Sequence, residues 1–265
     1  VAVFPVTICV LILLWLVVRY SFLVPASKGL PILMYHKVSR DHEDSLTIAA
    51  AHLDSQLAYL KVQGYQSVSF AELKSARDYG HPLPPRPILL TFDDAYLRTY
   101  ELASPVLSKH DFKATIFLPV AFIGKSNTWD DGTEPLMSYD LIRQLAGSRI
   151  EFGLHSYRHE NYQRYTAAQM EADLFDCVKT LEENGCTFTR VFAYPYGRMP
   201  KGAAARKALY DSFRRHKIDF AVRIGSRINS LSPGDPYELK RTGIDGTDSF
   251  REFKIKLRKG RVKLF

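Results

Sequence analysis

Two adjacent carboxylates, Asp93 and Asp94, follow directly on an apolar run at 88–92. Carboxylates in that position are costly to bury unless they are hydrogen-bonded, paired or bound to a metal. If the extended pleat continues through them they point to opposite sides, so one could ligate a cation while the other polarises water. A solvated loop, or a cap for the next helix, is the plainer alternative. His155 and His159, in the segment HSYRH, also follow an apolar run, at 150–154. Histidines spaced i, i+4 can meet on one face of a helical turn and share a metal, or they can simply cap a turn at the surface. A third cluster, FAYPYG at 192–197, offers the rings of Tyr194 and Tyr196, a rigid turn at Pro195, and exposed backbone N–H groups. Aromatic faces suit pyranose rings, and a backbone N–H can bind a developing oxyanion, but alone this is an ordinary Pro-Gly turn. Together, one carboxylate, two histidines and an open position make a hydrolytic metal site.

These clusters need elements that bring them together. Apolar runs predict short strands at 30–35, 66–70, 88–92, 114–120, 150–154, 191–194 and 220–224. Between them, helical spacing predicts helices at 48–63, 71–79, 100–109, 138–146, 166–183 and 203–216. Strands alternating with helices imply a mostly parallel sheet, whose chemistry gathers at the C-terminal strand ends. Each cluster falls at such an end. So does His36, after the run LPILMY at 30–35.

With these residues in view, the chain resembles the carbohydrate esterase family four polysaccharide deacetylases, the chitooligosaccharide deacetylase homology family. The resemblance rests on TFDD at 91–94, HSYRH at 155–159 and YPYG at 194–197, and runs from about residue 30 to 250. PILMYHKV at 31–38 and the FAYPYG form are most similar to the biofilm poly-N-acetylglucosamine deacetylases. The resemblance implies an α/β fold, a distorted (β/α) barrel of about seven strands. It implies Asp93 as general base, and Asp94, His155 and His159 as ligands of a divalent metal, commonly zinc, with cobalt, nickel or iron as alternatives. It also implies that Tyr196 offers its backbone N–H to the oxyanion, with Pro195 and Tyr194 in the same turn.

Three departures stand out. Many members carry a late Leu-x-His whose histidine protonates the leaving amine; no such motif occurs here, and His36 is the best substitute, with a core or capping role as its alternative. Ala193 stands where many members have an arginine that holds the base, which leaves Arg223 or Arg241 to support Asp93. The fourth, aspartate-and-tryptophan motif is not recognisable, and Trp129 in TWDD could either line a sugar groove or cover a loop.

The 265 residues are 46% hydrophobic and 24% charged, which suits one large α/β domain or two small ones and argues against disorder. A net charge of +8 would admit nucleic acid, but no zinc-finger spacing or RNA-binding aromatic signature accompanies it, so no nucleic-acid partner is expected. Residues 1–18 carry no charge and as a helix would span about 27 Å, close to the hydrocarbon thickness of a bilayer. Residues 1–24 are therefore expected to be a transmembrane helix or a cleaved signal segment, 25–29 a linker and 30–265 the catalytic domain. That places the domain outside the cytoplasm, at an inner or cytoplasmic membrane. Cys177 and Cys186 could pair in an oxidising compartment or remain two buried thiols. The basic tail from Lys254 to Lys263, with apolar residues interleaved, could lie on an anionic membrane or form a terminal helix or edge strand. The expected function is metal-dependent removal of N-acetyl groups from an N-acetylhexosamine exopolysaccharide of the poly-β-1,6-N-acetylglucosamine type, alongside synthesis or export proteins. The rivals are a deacetylase for peptidoglycan, chitin oligomers or a lipid-linked sugar, and a sugar-binding homologue without turnover.

Overall fold

The computed structural model describes residues 29–262 apart from 131 and 233, together with Ile8 and Trp15. The expected membrane segment at 1–24 lies outside the described residues except at those two positions, as do the linker before Gly29 and the last three residues of the tail. Among the described residues, no helix is long and apolar enough to cross a membrane.

In chain order the elements are β1 (Ile32–Tyr35), β2 (Lys37–Ser39), β3 (Thr47–Ala49), α1 (Ala50–Val62), β4 (Gln66–Ser67), α2 (Phe70–Tyr79), β5 (Pro87–Phe92), α3 (Leu97–His110), β6 (Ala114–Leu118), α4 (Tyr139–Gln144), β7 (Ile150–Leu154), α5 (Ala167–Glu183), β8 (Val191–Ala193), α6 (Ala203–Arg215), β9 (Phe220–Ile224), β10 (Leu239–Gly243) and α7 (Phe250–Lys259). Seven parallel strands close on themselves in the order β1-β10-β9-β8-β7-β6-β5, with β1 pairing β5 to complete the ring. The expected seven-stranded parallel barrel is what the chain forms. Its distortion is visible in the ladders: β6 and β7 pair over five residues, whereas β7 and β8 meet only at Leu154 and Phe192.

Alternation along the strands sorts two apolar layers. Ile32, Leu89, Phe117, Val191, Ala193, Phe220, Val222 and Leu239 form one cluster, with Phe70 and Leu73 of α2. Their neighbours Leu33, Leu90, Ile116, Phe152 and Phe192 belong to the larger cluster that takes in the helices. The first set is the barrel interior. Gly153 lies in that register because a Cβ there would come within 2.7 Å of the Phe117 ring. The helix starts follow local chemistry: Ser69, Thr166 and Ser249 each close a capping box with the Glu or Gln three residues on.

The expected boundaries shift in places. Residues 47–49 are a strand rather than the start of a helix, and the strand expected at 66–70 shrinks to two residues because Ser69 caps α2 instead. β10 was not anticipated, while α7 is the terminal helix that stood as the alternative for the basic tail. Within the described part of the basic tail, Phe253 and Leu257 of α7 are buried in the core, and Lys256 pairs with Asp245 at 2.9 Å and Asp248 at 2.6 Å. Two of the apolar residues in this segment, Phe253 and Leu257, are therefore spent on packing. Cys177 and Cys186 are free, buried thiols.

Candidate metal centre

Asp93 continues the inward register of β5 after Leu89 and Thr91, and its N–H still donates to the Tyr35 carbonyl at 3.0 Å. The pleat does not continue to Asp94 as expected. Asp94 and Ala95 instead turn into the left-handed region, at φ 72° and 54°, and that reversal swings Asp94 toward the histidines. His155 likewise continues the inward register of β7, after Glu151 and Gly153. The two histidines do not share a helical turn: residues 155–160 are irregular, with Ser156 at φ 66° and His159 at φ 56°. Non-glycine residues in this region cost of order 1–3 kcal/mol each and persist only where the surroundings enforce them. The enforcing group is Asp173 of α5, which the sequence did not single out. Its buried carboxylate accepts from Ser156 Oγ (3.0 Å), Tyr157 N (3.0 Å) and Tyr162 OH (2.6 Å).

The result is a cluster in which Asp94, His155 and His159, all buried, bring ligand atoms within 4.8 Å of one another. Asp94 Oδ1 lies 3.4 Å from His155 Nε2 and 3.1 Å from His159 Nε2. Donors bound to one tetrahedral metal stand roughly 3.3–3.6 Å apart, so these separations suit a shared cation. His155 Nδ1 donates to the Ala193 carbonyl at 2.8 Å, which leaves Nε2 as the ligating nitrogen. Among the described residues, only the two imidazole nitrogens lie near the buried Asp94 Oδ1, and neither makes a well-formed hydrogen bond to it. Such an atom is costly in an apolar interior unless a cation satisfies it, so the residues present fit a metal.

Arg241 of β10 resolves the missing arginine. Its guanidinium grips Asp93 with both nitrogens, Nη1 to Oδ1 at 2.5 Å and Nη2 to Oδ2 at 2.7 Å, in a pair that is almost fully buried. Arg223, the other candidate, turns away to Glu238 at 3.1 Å. Burial works to raise the Asp93 carboxyl, but the charge of Arg241, then that of His155, holds it below its ordinary value. Asp94 is likewise pushed up by burial yet held well below the usual carboxylate range by the adjoining imidazoles. Burial lowers His159, which favours the neutral, ligating form.

These groups open onto a cleft of about 560 Å³ at the C-terminal mouth of the barrel. His36 reaches it from the end of β1, with Nε2 3.8 Å from Asp93 Oδ2. Trp129 lines the cleft and packs over His159 with ring centroids 4.3 Å apart, so it belongs to the groove. Tyr196 lines it too, half-exposed, 4.9 Å from the His159 ring and at φ 56°. Its N–H sits in the first turn of a 3-10 helix over Pro195–Gly197, where N–H groups lack intrahelical partners. Tyr194 and Pro195 do not reach the cleft, contrary to expectation. Tyr194 follows the outward register of Phe192, is fully buried and donates to the Tyr237 carbonyl at 3.1 Å. Pro195 is buried beneath the turn that it starts. Gly197 completes the turn at φ 62°, where a Cβ would come within 2.6 Å of Ile224.

Fold and site together define a (β/α) barrel with an Asp-His-His cluster that could hold a metal ion, beside an arginine-held aspartate. The polysaccharide deacetylase family profile matches residues 80–212, about half of the chain, and the chain belongs to that family. A Bacillus subtilis protein, YxkH, provisionally named a polysaccharide deacetylase, is 30% identical over 169 residues, covering 64% of this chain and 57% of that protein. The Escherichia coli poly-β-1,6-N-acetyl-D-glucosamine N-deacetylase is 33% identical over 140 residues, covering 49% of this chain and 21% of that one. This chain thus spans little more than half of the first relative and about a fifth of the second. Among solved structures, a de-N-acetylase from Aggregatibacter actinomycetemcomitans superposes with a TM-score of 0.72 at 20% identity, over 86% of this chain and 99% of that one.

Proposed function

We propose that the protein hydrolyses N-acetyl groups on an N-acetylhexosamine polysaccharide in a metal-dependent reaction. The observation that carries this reading is the buried Asp94, His155 and His159 cluster opening onto the same cleft as Asp93, which Arg241 grips with both guanidinium nitrogens. A divalent metal held there, zinc being the usual choice for one carboxylate and two imidazoles, would polarise the acetyl carbonyl and acidify bound water. Asp93, kept ionised by Arg241, accepts the proton of the attacking water. The Tyr196 N–H donates to the oxygen that gains charge. His36, facing the same Asp93 oxygen from the open side, gives a proton to the departing sugar amine. Trp129 and Tyr196 supply aromatic faces for the ring that carries the acetyl group.

Within that class, a poly-β-1,6-N-acetylglucosamine-type exopolysaccharide is the preferred substrate; its support is the likeness to the Escherichia coli enzyme. The uncharged stretch at 1–18 supports an extracytoplasmic domain on a membrane. The test is to incubate the metal-loaded chain with N-acetylglucosamine oligomers of several linkages and measure acetate and free amine. β-1,6 oligomers should be the best substrates. Asp93→Asn should abolish turnover and keep the metal, and His155→Ala should lose the metal. Full activity after exhaustive chelation would overturn the mechanism, full activity in His36→Ala would remove His36 as the acid, and a preference for peptidoglycan or chitin fragments would reassign the substrate.

A further inference from the structure

A second cavity, of about 540 Å³, adjoins the catalytic cleft and shares Tyr196, Gly197 and Ile224 with it. Its chemistry is opposite in kind to that of the acid-rich centre. Arg198, Lys201, Arg206 and Arg223 line it, and among the described residues no carboxylate does. Arg198 and Lys201 are exposed, and neither has an ion-pair partner among the described residues. Arg206 and Arg223 reach one acid, Glu238, at 3.8 and 3.1 Å, and Glu238 also serves Lys240 at 2.9 Å. One carboxylate thus answers three cations and leaves the other two uncompensated, so the cavity carries a net positive field. The ridge between the two cavities is apolar and open: Tyr196 is 49% and Ile224 42% exposed.

We infer that this cavity is a subsite for an oxyanion-bearing substituent, a carboxylate or a phosphate, on the glycan next to the sugar whose acetyl group is removed. The inference rests on the deacetylase reading and adds to its substrate class a charged substituent that an unsubstituted N-acetylglucosamine homopolymer does not carry. A sugar ring lying over Tyr196 and Ile224 would have its acetamide on the metal side and a charged neighbour on the cationic side. Arginines favour such a partner because the guanidinium fork matches carboxylate and phosphate oxygens. The cations act at modest strength each in this half-exposed setting, so their signature is preference rather than absolute dependence.

The test measures equilibrium binding to the metal-loaded full chain at low salt. The probes are N-acetylglucosamine tetramers identical except for a neutral, carboxylate or phosphate substituent. At least one charged tetramer should bind five- to tenfold tighter than the neutral one, and whichever leads identifies the substituent. The variant Arg198→Gln/Lys201→Gln/Arg206→Gln should bring charged and neutral tetramers together while moving neutral binding less than twofold. Arg198→Gln/Lys201→Gln, which spares the Glu238 pairs, should give part of that loss. Equal binding of all tetramers by the unaltered protein would overturn the inference, as would an equal loss for neutral and charged tetramers in the variants. Inorganic phosphate binding as tightly as the phosphorylated tetramer would also overturn it, since the cavity would then hold a free ion and not a glycan group. Acetate release is followed in parallel. Release without charge preference sinks the subsite alone, and charge preference without release from any tetramer sinks the deacetylase reading alone.

Discussion

Arg241 is where a single side chain decides most. It is 1% exposed and spends both terminal nitrogens on Asp93. Removing one member of a buried pair strands the other charge, at about 3–5 kcal/mol. Arg241→Met should therefore lower stability by about that much in denaturant unfolding. Arg241→Lys keeps the charge but loses the two-pronged geometry. It should fold, bind metal normally, and lose on the order of a hundredfold in kcat with little change in KM, while its pH–rate profile moves because Asp93 no longer has the same support. An unchanged pH profile with a raised KM would mean that Arg241 only packs the barrel. The need for this residue was legible in the sequence, since Ala193 stands where many family members have their arginine. Its identity was legible only as a choice between Arg223 and Arg241. The stretch LKRTG has no apolar alternation to announce a strand, although Leu239 and Arg241 fall on the same inward face.

At the scale of elements, the donors are held by strand ends that stop being strands. Asp93 and His155 need only the inward register of β5 and β7, and that much could be read from apolar runs ending in acid or histidine. Asp94 and His159 need left-handed backbone, which Asp and His adopt more often than other non-glycine residues but still too rarely for the sequence to locate it. The i, i+4 spacing suggested a helical turn, but the loop over 155–160 converges through Ser156 and His159 instead, pinned by Asp173. Asp173 was invisible because it reads as one more polar position on an amphipathic helix, and only the fold shows it buried against the loop. Asp173→Asn keeps the shape but turns one acceptor oxygen into a donor, facing either Ser156 and Tyr157 or Tyr157 and Tyr162. Groups that orient ligating residues are worth about 10–100-fold in metal affinity. Competition with a chromophoric chelator should show a loss in that range for Asp173→Asn, with the far-ultraviolet circular dichroism unchanged.

Across the whole molecule, the alternation of strands and helices was enough to foresee a parallel barrel, while its closure was not. The last strand is polar and the last helix looked like a basic tail. In α7, Lys254 sits 4.9 Å from the Tyr59 ring of α1 and 4.6 Å from Phe250, so the charge pattern partly decorates an aromatic contact. Phe253, fully buried and 6.3 Å from Tyr59 between centroids, carries the packing. Phe253→Ala should cost about 3–5 kcal/mol, measured by urea unfolding. A loss below about 1 kcal/mol would mean that α7 is an appendage rather than part of the core.

The seam of the barrel has one more consequence. β1 pairs with β10 on one side and β5 on the other, so His36, Asp93 and Arg241 meet where the earliest and latest strands of the ring join. During synthesis, Asp94, His155 and His159 have all left the ribosome tunnel well before residue 241. The cation-binding donors thus all precede, in the chain, the guanidinium that holds the aspartate beside them. The set of His36, Asp93 and Arg241 is complete only once the ring has shut.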